Sequence, residues 1–250
     1  MKTSILSIAA VTLLSGCVIY VGNGHAGDLQ HEERKLAISA TSLQQLIAEA
    51  GAGKLDIIGE AGRSEVEMVA NIYYYNAEDI RLTLTTRGNS AVLDAGFDKS
   101  FYNGNSPYID VLVKVPQHFG LTLDDGSGDT DIRGLTGDLQ VKDGSGDLRI
   151  SGGANVKVED GSGNLFIEQI SGKLTVDDGS GDLQIRKVTG DVYIDDGSGD
   201  IVVNNVGGIV TIDDGSGDIN VDGAGGLTII DSGSGGLKLN AINGPVQIND

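Results

Sequence analysis

The side chains of this 250-residue chain best placed to do chemistry are carboxylates held in a recurring turn. It reads DDGSGD at Asp124, KDGSGD at Lys142, EDGSGN at Glu159, DDGSGD at Asp177, Asp195 and Asp213, and DSGSGG at Asp231. Lines of carboxylate and carbonyl oxygens are the donor chemistry of calcium. The three most regular copies supply the candidate ligands: Asp177, Asp178 and Asp182; Asp195, Asp196 and Asp200; Asp213, Asp214 and Asp218. Turn chemistry explains the same residues without a metal. Glycine reaches positive φ at a corner, while Asp and Ser bond nearby backbone groups. The calcium β-roll repeat sets its Asp two residues before a buried apolar position. Here Asp182, Asp200 and Asp218 immediately precede Leu183, Ile201 and Ile219, so they point away from the core and that site does not map across. Turn carboxylates facing solvent, with calcium as the alternative, is the expectation.

Other chemistries find little support. His25, His31 and His118 are too far apart to suggest a zinc site or a triad. Gly-Ser-Gly-Asp is not a G-x-S-x-G elbow and leads into no helix. Outward aspartates on a regular surface give no reason for the raised pKa that a glycosidase acid requires. After Gly120 the only aromatic residues are Phe166 and Tyr193, too few for sugar stacking. No catalytic residue and no organic cofactor is predicted.

The elements that carry these turns follow from their spacing. Gly-Ser-Gly begins at Gly126, Gly144, Gly161, Gly179, Gly197, Gly215 and Gly233, a period of 18 residues broken once by 17. Each unit holds two apolar alternations, such as Leu174-Thr-Val176 before the turn and Leu183-Gln-Ile185 after it. A lone apolar residue then recurs three positions on, as at Val188 and Val206. Alternating Val, Ile and Leu mark strands with one buried face. With no helix-length connection between them, the fold class predicted is all-β: a single-chain parallel β-solenoid (β-helix) of about 18 residues per coil, right-handed by default.

Residues 121–250 form the regular array, and 36–120 a less regular β region that caps it. Within the latter, "SLQQLIAEAG" from Ser42 to Gly51 reads as one or two helical turns, and most of the Tyr and Phe residues lie between Tyr73 and Phe119. Lys2 and the apolar run Ser4–Leu14 read as a signal peptide over residues 1–16, too short to span a bilayer. Leu14–Cys17, "LSGC", is similar to the bacterial lipobox, which makes Cys17, the only cysteine, the lipidation site. Val18 rather than Asp beside it points to the outer membrane. Residues 17–35 read as a tether. A net charge of −19 argues against nucleic acid and anionic headgroups as partners.

From Tyr108 to Asp129, "YIDVLVKVPQHFGLTLDDGSGD", a strand ending in Val-Pro, then Leu-x-Leu, then Gly-Asp repeats, resembles the bacterial adhesin-labelled domain-of-unknown-function family of β-strand-repeat proteins. The resemblance covers residues 36–250 and implies a β-repeat envelope protein with no catalytic residues to carry over. The expected function is a non-catalytic, lipid-anchored cell-envelope module, structural or adhesive. Its membrane contact would be the N-terminal lipid, and its partner an envelope protein or surface ligand. The strand Val246–Ile248 presents an edge for end-to-end pairing of two copies. A calcium-dependent envelope binding protein is the alternative, and a polysaccharide-acting β-helix enzyme a distant third.

Overall fold

A computed structural model describes residues 29–98 and 105–249. Cys17, His25 and the signal segment lie outside the described residues. The N-terminal part contains β1 (Gln30–Ser39), β2 (Gln45–Ala52), β3 (Leu55–Glu60), β4 (Glu65–Tyr74), β5 (Ile80–Arg87), β6 (Ser90–Phe97) and β7 (Tyr108–Pro116). The array begins with β8 (Gly120–Ser127), β9 (Thr130–Arg133), β10 (Leu139–Asp143), β11 (Leu148–Ser151), β12 (Val156–Asp160) and β13 (Leu165–Ile170). It continues through β14 (Leu174–Asp178), β15 (Leu183–Val188), β16 (Val192–Asp196) and β17 (Ile201–Asp214) to β18 (Ile219–Asp231), β19 (Leu237–Ile242) and β20 (Val246–Ile248). No α-helix occurs among the described residues.

The array winds as its period predicts. Strands before the acidic turn stack in parallel, β8 on β10, β12, β14, β16 and the second half of β17. Strands after it stack on the opposite face, β9 on β11, β13, β15 and the first half of β17. Register partners are one repeat apart, Leu174 beside Val192 and Leu183 beside Ile201. Between the two faces Leu174, Val176, Leu183, Ile185 and Val188 are all buried in a core continuous with the coils above and below. Each such side chain contributes about 1.5–3 kcal/mol when fully buried. A single coil would leave the edges of that core facing water, so stability comes from stacking.

Two corners turn each coil. At the acidic corner Gly181 has φ 139° and Gly199 φ 145°, and consecutive corners lie so close that a Cβ on Gly199 would sit 1.8 Å from the carbonyl oxygen of Gly181. At the second corner Gln169, Lys187, Asn205 and Ala241 adopt positive φ, each just ahead of the lone apolar residue of its coil. That kink lets Ile170, Val188 and Val206 re-enter the core.

The N-terminal region departs from the sequence expectations in three ways. The segment expected in the tether up to residue 35 is already structured, because β1 pairs antiparallel with β4 from Gln30 onward. The first half of this edge strand, Gln30–Lys35, is polar and mostly charged, and its apolar alternation is confined to Leu36 and Ile38, which pack against the core. Ser42–Gly51 contributes the strand β2, with Leu46 and Ala48 inward at period two. Finally, β2 and β3 form a coil stacked out of chain order, lying between the β6–β7 coil and the β8–β9 coil. The antiparallel strands β4, β5 and β1 then close that end. His31, Tyr73 and Tyr108 stack across β1, β4 and β7 with ring centroids 4.6 and 4.4 Å apart, and Arg63 ties Glu60 to Glu67 at 2.8 and 2.7 Å. The larger side chains of this region thus join the antiparallel cap to the parallel coils.

Candidate functional site

The acidic turn sends its carboxylates in three directions. Its first residue alternates outward with the strand, so Asp124, Lys142, Glu159, Asp177, Asp195 and Asp213 line up at the surface in register. Lys142 interrupts the like charges, and Lys157 meets Glu159 at 2.5 Å.

The last residue of the turn forms a second row, Asp129, Asp147, Asn164, Asp182, Asp200 and Asp218, whose side chains hold one coil to the next. The Oδ1 of each accepts the backbone N–H of its counterpart one coil on: Asp147 onto Asp129 at 3.3 Å, Asn164 onto Asp147 at 3.0 Å, Asp182 onto Asn164 at 3.3 Å. The series continues with Asp200 onto Asp182 at 3.3 Å, Asp218 onto Asp200 at 3.0 Å and Gly236 onto Asp218 at 2.7 Å. These residues point away from the core, as their place before Leu183, Ile201 and Ile219 predicts. The backbone N–H needs only an acceptor oxygen, so amide and carboxylate both serve and Asn164 fits, its Nδ2 donating in addition to Asp147 Oδ1 at 3.1 Å. Asp182→Asn is therefore expected to be neutral in thermal unfolding, whereas Asp182→Ala removes one acceptor and should cost about 1 kcal/mol.

The third row corrects the expectation that the turn carboxylates face solvent. Asp125, Asp143, Asp160, Asp178, Asp196 and Asp214 point into the solenoid and are only 2–6% exposed. Strand parity is the cause: Asp178 lies two residues beyond Val176 and four beyond Leu174, on the same inward face. The six are consecutive register partners. The row is bounded by Ala50 beside Asp125 and by a register shift after Ile212, which sets Asp231 beside Asp213. The Oδ1 atoms of Asp178, Asp196 and Asp214 accept the N–H of Ser180, Ser198 and Ser216 at 3.2, 3.2 and 3.0 Å, and Asp125 Oδ2 accepts the Thr130 hydroxyl at 2.7 Å. Both carboxyl oxygens of Asp143 and Asp160, and one in each of the other four, are buried without a partner. Burial first, and then the neighbouring carboxylate of the next coil, push Asp143, Asp160, Asp178 and Asp196 up to about 6. Asp125 also reaches about 6 through burial, the Thr130 bond opposing the shift, and burial raises Asp214.

The nine candidate calcium ligands are consequently divided. Asp177, Asp195 and Asp213 lie in the outer row; Asp178, Asp196 and Asp214 face the core; Asp182, Asp200 and Asp218 bond the backbone of the next coil. Among the described residues no group of three or more His, Cys, Asp or Glu side chains is arranged to hold a metal ion. His31 bonds Asn71 at 3.2 Å and His118 packs edge-on against Phe119. A groove of about 620 Å³ on the β9–β17 face runs along Asp147, Asn164 and Asp182 beside Arg149, Phe166 and Gln184. The guanidinium groups of Arg149 and Arg186 lie 4.9 and 5.7 Å from the centre of the Phe166 ring, so the one aromatic group in the groove is already engaged by cations. No described helix is long and apolar enough to cross a membrane.

Among solved structures, the chain is similar to a "putative adhesin" from Bacteroides fragilis, with 16% identity, a TM-score of 0.48 and coverage of 87% of this chain and 97% of that one. It is also similar to a "putative cell adhesion protein" from Clostridium sporogenes, with 12% identity, a TM-score of 0.37 and coverage of 88% and 99%. No curated protein matches. A family model spans residues 34–247, from inside β1 to β20 and so through every coil, and the chain belongs to the Toastrack DUF4097 family.

Proposed function

We propose that this protein is a lipid-anchored module of the bacterial cell envelope, held at Cys17, whose solenoid acts as a non-catalytic structural or adhesive surface. The observation that supports this most is what the polar residues do. The recurrent Asp and Asn side chains accept backbone N–H groups from the next coil rather than converging on a point where a substrate would react. Regular surface rows offer a partner many equivalent contacts along the rod instead of one pocket. The anchor rests on the run Ser4–Leu14 followed by Leu-Ser-Gly-Cys, and outer-membrane placement on Val18 beside the cysteine.

Cell fractionation with a radiolabelled fatty acid tests the reading. The wild-type protein is expected in the outer-membrane fraction carrying label, and Cys17→Ser is expected to lose both the label and most of the membrane association. Equal membrane retention of the unlabelled variant would remove the lipid anchor from the account.

A further inference from the structure

We infer that the inward row Asp125–Asp143–Asp160–Asp178–Asp196–Asp214 is a proton-binding ladder built into the core, in which carboxyls of successive coils share protons drawn from solvent. Strands paired in parallel set equivalent residues about 4.8 Å apart, and these side chains all leave their strands on the buried face. Six ionised carboxylates in such a line would each repel the next with little water to screen them. Eight carboxyl oxygens of the row have no partner, including both of Asp143 and both of Asp160. Something must satisfy them.

A proton answers better than a metal ion. The groups facing the carboxylates are N–H and O–H donors, from Ser180, Ser198, Ser216 and Thr130. Carbonyls nearby are occupied by coil-to-coil bonds, as when Gly197 N–H bonds the Asp178 carbonyl. The residues that follow the corner, Leu148, Leu165, Leu183 and Ile201, are buried and apolar. A calcium ion would need six to eight oxygens there. A proton needs one: it forms an O–H bond on one carboxyl, which donates to an unpartnered oxygen of the carboxylate in the next coil. That single bond satisfies an atom on each residue and removes a charge between them.

The charged groups that act most strongly on the row are themselves acidic. Asp124, Asp177, Asp195 and Asp213 act from the same strands, and Asp129, Asp147, Asp182 and Asp200 from the far end of the acidic turn. Asp231 acts from the following coil. The cation nearest in the chain, Lys142 beside Asp143, points outward into the surface row. The raised carboxyls mean that, between the ordinary aspartate range and about 6, the folded chain binds more protons than the unfolded chain. The row's contribution to stability is thus fully present below the unfolded pKa and is lost as pH rises through about 6. This is opposite in sign to the usual loss of paired carboxylates in acid.

Two measurements on the full-length protein in detergent test the ladder. Carboxyl-carbon NMR with labelled aspartate should show a group of side chains titrating near pH 6, well apart from the rest. Thermal unfolding should give a Tm that rises by roughly 10 °C from pH 7.5 to pH 5. The triple variant Asp160→Asn, Asp178→Asn, Asp196→Asn keeps the shape and removes three charges. It should unfold at a higher temperature than wild type at pH 7.5 and lose about half of the pH dependence. A Tm that falls over the same acidification, or aspartates all titrating below pH 5, would overturn the inference, and the NMR result stands whether or not the variant folds. Calcium chloride that raises the wild-type Tm at pH 7.5 and lowers those carboxyl midpoints would also overturn it, making the row a cation site.

Discussion

Gly199→Ala is expected to lower stability by at least about 3 kcal/mol, seen as a Tm drop of about 10 °C or loss of soluble protein. Two costs add. The residue sits at φ 145°, where an L side chain is strained. The new Cβ would also lie 1.8 Å from the Gly181 carbonyl oxygen, with the Gly181 nitrogen at 3.3 Å, so the obstacle is backbone. Relief requires two coils to move apart, which stretches the parallel hydrogen bonds on both faces. Gly62→Ala is the control. It has φ 72°, with nothing within 4 Å of a Cβ, and should cost only the conformational strain, about 1 kcal/mol. The difference between the two variants isolates the contact between coils from the intrinsic preference of glycine. Equal losses would mean that the corners are not stacked.

Removing a whole repeat should be tolerated where removing half is not. Deletion of residues 177–194 joins Val176 to Asp195, and every later residue then finds an equivalent partner one coil earlier, because β14 and β16 carry the same pattern in the same register. Stability in such arrays is close to a sum of coil terms and neighbour terms. The 18-residue deletion should therefore unfold cooperatively with a modest fall in Tm and an unchanged β-type circular dichroism spectrum. Deleting residues 177–185 removes the acidic corner and drives β14 straight into the left-handed corner at Lys187. All later strands would then meet the wrong face of the preceding coils. That variant is expected to be insoluble or unfolded, a loss of the whole folding free energy, on the order of 5–15 kcal/mol. Comparable folding of both variants would contradict an 18-residue coil.

The repeat was legible because it is written in local terms. The Gly-Ser-Gly interval set the coil length, and pairs such as Leu183 and Ile185 set the inward face. The coil formed by β2 and β3 was not legible, since its neighbours β6–β7 and β8–β9 lie far along the chain and no spacing in the sequence encodes that stacking. The first half of β1, Gln30–Lys35, was hidden for a different reason. Its partner β4 alternates buried and half-buried residues, whereas β1 is charged along much of its length and takes its conformation from pairing. Leu46 and Ala48 sit among residues that favour helices, and tertiary pairing overrode that preference. Of the candidate site, the outward direction of Asp182 was readable from Leu183 beside it. The inward direction of Asp178 was equally readable from Val176, two residues earlier, but a carboxylate beside a Gly-Ser-Gly turn reads first as a solvent-facing turn residue. Two adjacent aspartates of one strand cannot both face solvent, because successive side chains point to opposite faces.

Cysteine cross-linking in a Cys17→Ser background tests the winding most directly. Thr175 and Tyr193 are register partners in adjacent coils, whereas Thr175 and Arg186 lie in strands on opposite faces, where a hairpin would instead set them side by side. A short thiol cross-linker should join Thr175→Cys to Tyr193→Cys within the folded protein and leave Thr175→Cys with Arg186→Cys unjoined. The opposite pattern would mean that the strands fold back on one another, and neither the stacked corners nor an inward row of aspartates would survive that result.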